Sequence, residues 1–404
     1  MRDLDSELTG LRNTLRDSIH PPATEEAVRR GRRRMRRQQA QVAAVVAIVV
    51  AAGAWPFLRI PDSAAPASPE RSRVVAHDYF DVRNGFALGE VCQAGHECDP
   101  WFMTTSNGQT WEKRDVPPIE AGRVIALGTS KVVVEDHPAV DSSNRYYSNN
   151  GGHTWSAVTA RADTTIEEIP EDAALETTTT PETTDLCRNG SVIVLLSDSG
   201  RSAKLANQPP IDLTWCQSYP DLNGTRWVAG SDPRTRQPVV ASTRNRGRSW
   251  QITPLPAFTS PPASRIGPYY PRVTMVSTPA ASYASVINPA ISELVAIFRS
   301  SDLGVTWTRT WQASAGTQPT QVLGTPIAGT DGKIRIPQSG NVWTSTDGGT
   351  SFKAEPARDG AMTGAVQWIR AGYLSSSGES ASTGHYSLSY DGVSWQKMEI
   401  PLPE

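Results

Sequence analysis

Few residues in this chain stand at the spacing that chemistry needs. The tightest group is Cys92-x-x-x-His96-x-Cys98-Asp99. Two thiols with an imidazole and a carboxylate can be drawn as a metal site, since thiolate sulfur and imidazole nitrogen are the usual zinc donors. The same thiols can close as a disulfide. The chain has four Cys, at 92, 98, 187 and 216. An even count in an exported domain points to two disulfides, Cys92 with Cys98 and Cys187 with Cys216, with no metal and no cofactor. The six His are scattered, at 20, 77, 96, 137, 153 and 385, and read as surface or turn residues. There is no Gly-x-Ser-x-Gly turn, no His-Glu-x-x-His helix and no Gly-rich phosphate loop. No catalytic residue is assigned on this basis.

The elements that would position any site are written as a repeat. Residues 300–307 read Ser-x-Asp-x-Gly-x-Thr-Trp, with Asp302, Gly304 and Trp307. Looser copies carry Asn150, Gly152 and Trp155; Asn245, Gly247 and Trp250; and Asp347, Gly349 and Phe352. Thr104 to Trp111 is a further copy, with Ser106 in the Asp place, and Asp391, Gly392 and Trp395 form one that is a residue short. Each copy follows a β-branched or apolar run and precedes alternating residues, which is strand, tight turn, strand. Gly adopts the positive φ such a turn needs. Asp or Asn bonds backbone N–H groups further along the loop. The Trp is expected to tuck under the hairpin and staple it to its sheet.

Measured at the Trp or Phe position, the marks fall at 111, 155, 250, 307, 352 and 395. The long step from 155 to 250 is divided by a degenerate copy, residues 198–203, with Ala203 where Trp is expected. A period of about 40–50 residues carrying four strands is that of a propeller blade, so seven marks predict seven blades. In the first blade, strands are expected at 74–82, 85–91, 102–105 and from 111 onward. The chain starts on an inner strand and ends on an outer one, so no strand exchange is expected to lock the ring.

The repeat resembles the Asp box, or BNR repeat, of sialidases and related β-propellers, over residues 73–404. The resemblance implies that each turn joins the third and fourth strands of a blade and lies on the rim, away from the central funnel where ligands bind. Residues 80–89 look like the inner-strand pattern of photosystem II assembly factor-like propellers, which implies a protein-binding role. Sialidases use three Arg, a Tyr–Glu nucleophile pair and an Asp acid/base, with the first Arg in a Phe/Tyr-Arg-Ile-Pro motif. This chain has Leu58-Arg59-Ile60-Pro61 and Ile334-Arg335-Ile336-Pro337, neither of them in the first blade, and Tyr269 and Tyr270 with no Glu close in sequence.

The N-terminal region is different in kind. Residues 1–39 hold ten Arg and six acids, a net of +4, which leaves −6 for the rest of a chain of net charge −2. The overall balance gives no reason to expect nucleic acid. Leu4, Leu8, Leu11, Leu15 and Ile19 share one helical face. The Arg run at 29–37 directly precedes residues 38–58, which carry no charge. Twenty-one residues at ~1.5 Å each cover the ~30 Å of a bilayer core. Positive residues stay on the cytoplasmic side. The expected layout is therefore a cytoplasmic segment at 1–37 with a helical stretch, a transmembrane helix at 38–58 and a Pro/Ala/Ser linker at 59–72. An extracytoplasmic all-β, seven-bladed propeller follows at 73–404. A cleaved signal is the rival reading of the apolar run. Residues 162–185 hold eight acids and no Lys or Arg, and are expected to be a disordered surface loop.

These readings together predict a non-catalytic binding or scaffold propeller, anchored in the cell membrane of a bacterium. Its ligand would be an envelope protein or a glycan at the funnel. The alternatives are an exo-acting glycosidase of sialidase type and an envelope sensor relaying to a cytoplasmic protein through residues 1–37.

Overall fold

The computed structural model describes residues 71–403, except 94–96, 120–121, 137–143, 181–182, 258–271, 289–291, 315, 358–361, 363 and 377–382. The expected cytoplasmic segment and transmembrane helix lie outside the described residues, as do Arg59, Tyr269 and Tyr270. Among the described residues no helix is long and apolar enough to cross a membrane. The last two residues of the expected linker, Arg71 and Ser72, already belong to the first strand, opposite Cys92 and Val91.

The described chain folds into seven four-stranded sheets, the blades of a propeller. Blade 1 is β1 (Arg71–Tyr79), β2 (Gly85–Cys92), β3 (Asp99–Thr105) and β4 (Glu112–Arg114). Blade 2 is β5 (Gly122–Ala126), β6 (Val132–Asp136), β7 (Arg145–Ser148) and β8 (Ser156–Val158). Blade 3 contains β9 (Thr164–Ile166), β10 (Ala174–Leu175), β13 (Ile193–Leu195) and β14 (Ser202–Leu205). The hairpin of β11 (Thr177–Thr180) and β12 (Thr183–Cys187) stands outside its sheet. Blade 4 runs from β15 (Asp212–Cys216) and β16 (Arg226–Ser231) to β17 (Pro238–Thr243) and β18 (Gln251–Pro254). Blade 5 is β19 (Arg272–Ser277), β20 (Ser282–Asn288), β21 (Glu293–Ser300) and β22 (Thr308–Gln312). Blade 6 is β23 (Ile327–Ala328), β24 (Ile334–Gln338), β25 (Asn341–Ser345) and β26 (Lys353–Pro356). Blade 7 is β27 (Ala365–Ile369), β28 (Gly372–Ser376), β29 (His385–Ser389) and β30 (Gln396–Glu399).

Each blade is covered on both faces by its neighbours, so its middle strands do not alternate. All seven residues of β20 (Ser-Tyr-Ala-Ser-Val-Ile-Asn) are buried. That is the near-continuous burial of a strand enclosed on both sides. Outer strands are short and several carry charge, as in the exposed Lys-Ala-Glu-Pro of β26. Charge on an outer strand discourages edge-to-edge pairing with another chain. Among the described residues, blades 1 and 7 meet through side-chain packing. Val74, Tyr79, Ala87, Trp101 and Met103 of blade 1 share one core with Leu374, Tyr386, Leu388 and Met398 of blade 7. β1 pairs with β2 and β30 with β29, with no exchanged strand, as the sequence led us to expect.

Blade 3 departs from the repeat. Its sheet order is β10-β13-β14-β9, and β9 runs parallel to β14. The chain enters at the outer edge, crosses inward, makes the β11–β12 hairpin and returns. Residues 162–185 are therefore not the expected disordered loop. They supply two blade strands and most of the hairpin, and Ile169, Ala173, Ala174 and Leu175 are buried. Apolar residues interleaved with the acids outweigh the charge, because they fill the core shared with blade 4. The degenerate turn at residues 198–203 joins β13 to β14, the second and third strands of this sheet order. In the other six sheets the repeat turn joins the third and fourth. Ala203 lies between Val194 of β13 and Thr164 of β9. It is a sheet-interior position, where the Trp that opens an edge strand elsewhere has no place.

Candidate binding site

The repeat turns are hydrogen-bonded capsules. In blade 5 the Ser300 hydroxyl accepts from the Gly304 N–H at 2.7 Å and donates to Asp302 Oδ1 at 2.7 Å. Asp302 also accepts the Thr306 N–H at 2.9 Å and the Thr306 hydroxyl at 2.6 Å. Ser148, Asn150, Gly152 and Thr154 repeat this pattern. So do Thr243, Asn245, Gly247 and Ser249, and Ser345, Asp347, Gly349 and Ser351. The Thr306 hydroxyl and N–H, then the Ser300 hydroxyl, hold the Asp302 carboxyl down to about 2. Ser351 does most to bring Asp347 to about 2.

The first copy is corrected by the structure. Asn107, not Ser106, takes the Asp role, accepting from the Gln109 and Thr110 N–H groups at 2.9 and 2.8 Å. Thr105 caps Gly108 at 2.9 Å. This turn has the short spacing of the Asp391 turn, so four copies keep the full length. The aromatic residues also act differently from expectation. Trp111 stands edge-on to Tyr79 of its own blade at 6.1 Å, but three other rings reach the preceding blade. Trp155 stands edge-on to Phe102 at 5.1 Å, Trp307 to Trp227 at 6.1 Å, and Phe352 to Trp311 at 6.4 Å. The Trp155 and Trp250 Nε1–H groups donate to the Asp115 and Asn207 carbonyls of the blade before, each at 2.8 Å. Gly304, at φ +89°, lies so close that a Cβ there would stand 2.8 Å from the Trp227 ring.

Both expected disulfides are formed. Cys92–Cys98 closes the turn between β2 and β3. Cys187–Cys216 ties the β11–β12 hairpin to the first strand of blade 4. Arg335 of the sixth-blade Ile-Arg-Ile-Pro is fixed by Asp331 Oδ2 at 2.6 Å, a local i, i+4 pair. Of the scattered His, 153 and 385 are exposed as expected. His77 is half-buried: its ring packs on Tyr386 at 3.8 Å, and desolvation pushes its imidazole down to about 3.

Two clusters of charge went unseen in the sequence. The first lies where the first strands turn into the second, at the centre of the ring. Buried Asp78 accepts the Tyr79 and Ala126 N–H groups at 2.9 and 2.8 Å and the Tyr219 hydroxyl at 3.1 Å. Desolvation raises its carboxyl to about 6. Arg370 stacks over Phe80 at 4.5 Å and donates to the Asp172 carbonyl at 2.8 Å. Arg226 donates to the Ala173 carbonyl at 2.7 Å. Residues from blades 1, 2, 3, 4 and 7 thus meet at this end of the expected funnel and tie it together.

The second cluster lies between blades 2 and 3. The Arg145 side chain is fully buried, Glu135 and Glu176 are 4% and 3% exposed, and Arg188 is 11% exposed. Arg145 reaches Glu135 and Glu176 at 2.9 Å each. Arg188 Nη1 reaches Glu176 at 2.8 Å and Glu135 at 3.3 Å. The Ser202 hydroxyl donates to Glu176 and accepts from Arg145 at 2.7 Å. Burial would raise the Glu135 carboxyl, but Arg145, Arg123 and Arg188 hold it below its usual value. A carboxylate held ionised in this way is a poor proton donor. Beside this cluster is a cavity of about 390 Å³, lined among the described residues by Ala160, Arg161, Ala162, Arg188, Asn189 and Ile193. The signal in the sequence was a charge inside an apolar strand, as in Val-Val-Val-Glu135, since such a residue is buried only with a partner. The partners, 10 to 53 residues away, were invisible.

No protein-family model matches this chain, and neither does any curated protein. Among solved structures it is similar to the GH74 xyloglucanase from Xanthomonas campestris (TM-score 0.38, 11% identity, 69% of this chain and 53% of that one). It is also similar to YCF48 from Cyanidioschyzon merolae (TM-score 0.31, 13% identity, 82% and 97%). A third is a Hadza microbial sialidase (TM-score 0.32, 12% identity, 82% and 66%). The chain spans about half the length of the xyloglucanase and just under two thirds of the sialidase. All three are β-propeller proteins, and nothing about activity passes from them to this chain.

Proposed function

We propose that this chain is a binding or scaffold propeller of the Asp-box type, without catalytic activity of its own. One observation supports the reading most. The acids gathered inside the ring are spent on holding it together. Glu135 and Glu176 are clamped by two Arg, and Asp78, though raised to about 6, has its oxygens taken by two amides and a hydroxyl. A glycosidase needs one carboxyl poised as an acid and another free to attack or to activate water. The ligand, a protein or a glycan, is taken at the loops and cavities of the ring. The uncharged stretch 38–58 anchors the propeller in the cell membrane, with the Arg-rich segment in the cytoplasm and residues 73–404 outside.

The purified protein, offered a panel of fluorogenic glycosides with sialosides included, is expected to turn none over. Turnover abolished by an Arg or Tyr substitution in the ring would make it a glycosidase instead. Protease added to intact cells is expected to remove the propeller and spare residues 1–37, and the opposite pattern would reverse the topology.

A further inference from the structure

We propose that the cavity between blades 2 and 3 is a carboxylate-binding pocket, with the Arg188 guanidinium as its anchor. This rests on the binding reading above and names the ligand chemistry of one site. Arg188 sits on a short 3-10 turn at Arg188–Gly190, directly after the disulfide-tied Cys187. Its Nη1 is held from behind by Glu135 and Glu176. Among the described residues its Nε and Nη2 have no acceptor. Those two N–H groups form the side-on fork of a guanidinium, whose geometry matches the two oxygens of a carboxylate. The clamp behind fixes the fork before any ligand arrives, so little side-chain freedom is lost on binding.

The rest of the lining suits the same ligand. Asn189, the next residue along this turn and in the left-handed region at φ +50°, also lines the cavity. Arg161, on the link from β8 to β9, also lines the cavity; its side chain is exposed and paired with Asp163 at 3.0 Å. Ala160, Ala162 and Ile193 give an apolar floor. A few polar groups on an apolar lining, in a volume of roughly 300–1,000 Å³, is the usual form of a small-ligand site. The ligand class is a small molecule or chain end bearing a carboxylate, of about monosaccharide size.

The test is calorimetric titration of the full chain, in detergent micelles, with sodium D-glucuronate, with glucose as the uncharged counterpart and with inorganic phosphate. Saturable binding of glucuronate, with none of glucose, is expected. Arg188→Lys keeps a charge toward Glu135 and Glu176 but removes the fork, and should weaken binding roughly ten-fold or more. Ala162→Phe fills the cavity without touching the ion pairs, and should abolish binding at an unchanged melting temperature. Failure of glucuronate to bind, equal binding of glucose, tighter binding of phosphate, or wild-type affinity in Ala162→Phe would each overturn the assignment. Glycoside turnover with glucuronate binding intact would sink the non-catalytic reading and leave this pocket standing.

Discussion

The Tyr219 hydroxyl donates to Asp78 Oδ2 at 3.1 Å, joining blade 4 to blade 1 across the middle of the ring, 141 residues apart in sequence. Among the described residues the ring has no strand exchange, so such ties and the packing of blade 1 on blade 7 resist its opening. Tyr219→Phe should lower the unfolding free energy by about 1.5–3 kcal/mol, the worth of a hydrogen bond to a charged group. Urea denaturation measures it, and an unchanged midpoint would show the tie to be idle.

Asp78 also gives a pH signature. Its carboxyl is raised from 3.8 to about 6, so the folded state holds a proton that the unfolded state releases. Stability from this group is therefore greatest below pH 3.8 and falls as pH rises to about 6, then levels off. Asp78→Asn should flatten that slope in melting temperature. A slope surviving in the Asn variant would assign it to another group.

The turn acids work in the opposite sense. Asp302 and Asp347 are depressed from 3.8 to about 2, so their contribution is present above pH 3.8 and is lost as pH falls through 2. Asp302→Ala should lower the melting temperature at neutral pH, and the difference from wild type should shrink on acidification. The ligand affinity of the protein should not change, because the residue sits on the outer rim.

Breaking the buried cluster should cost more than breaking any surface pair. Arg145→Met leaves Glu135 and Glu176 facing each other with Arg188 as their nearest remaining clamp. Removing one partner of a buried pair typically costs about 3–5 kcal/mol. Chemical denaturation is the measurement, and a loss below that of an exposed pair such as Arg236 with Asp212 would contradict the burial argument.

Cys187–Cys216 closes a loop of sequence separation 29, for which the chain-entropy estimate is about 3–4 kcal/mol. Cys187→Ser should destabilise the protein by that order. It should also speed hydrogen exchange in the β11–β12 hairpin before the other blades. Free thiols at Cys187 and Cys216 in the untreated protein, found by mass spectrometry, would remove the tie.

The sequence by itself determined the class of fold and its count. Turns such as Ser300–Trp307 are closed by hydrogen bonds within eight residues, so their chemistry is local and visible in one line of text. Seven blades follow from their period, and the two disulfides from four Cys. What the sequence misjudged was what those same turns touch. Trp155 and Trp307 belong to the interface with the preceding blade, and no local pattern records which surface a large side chain will meet. The acidic stretch at 162–185 misled for the same reason. Its composition says solvent, but Ile169, Ala173 and Leu175 are buried because another blade lies against them. The candidate site was hidden altogether. Arg145, Glu135, Glu176 and Arg188 are ordinary charges one by one, and become an interlocked buried cluster only when blades 2 and 3 meet. Only the tertiary structure brings them together, because burial of a charge is decided by partners that are distant in sequence.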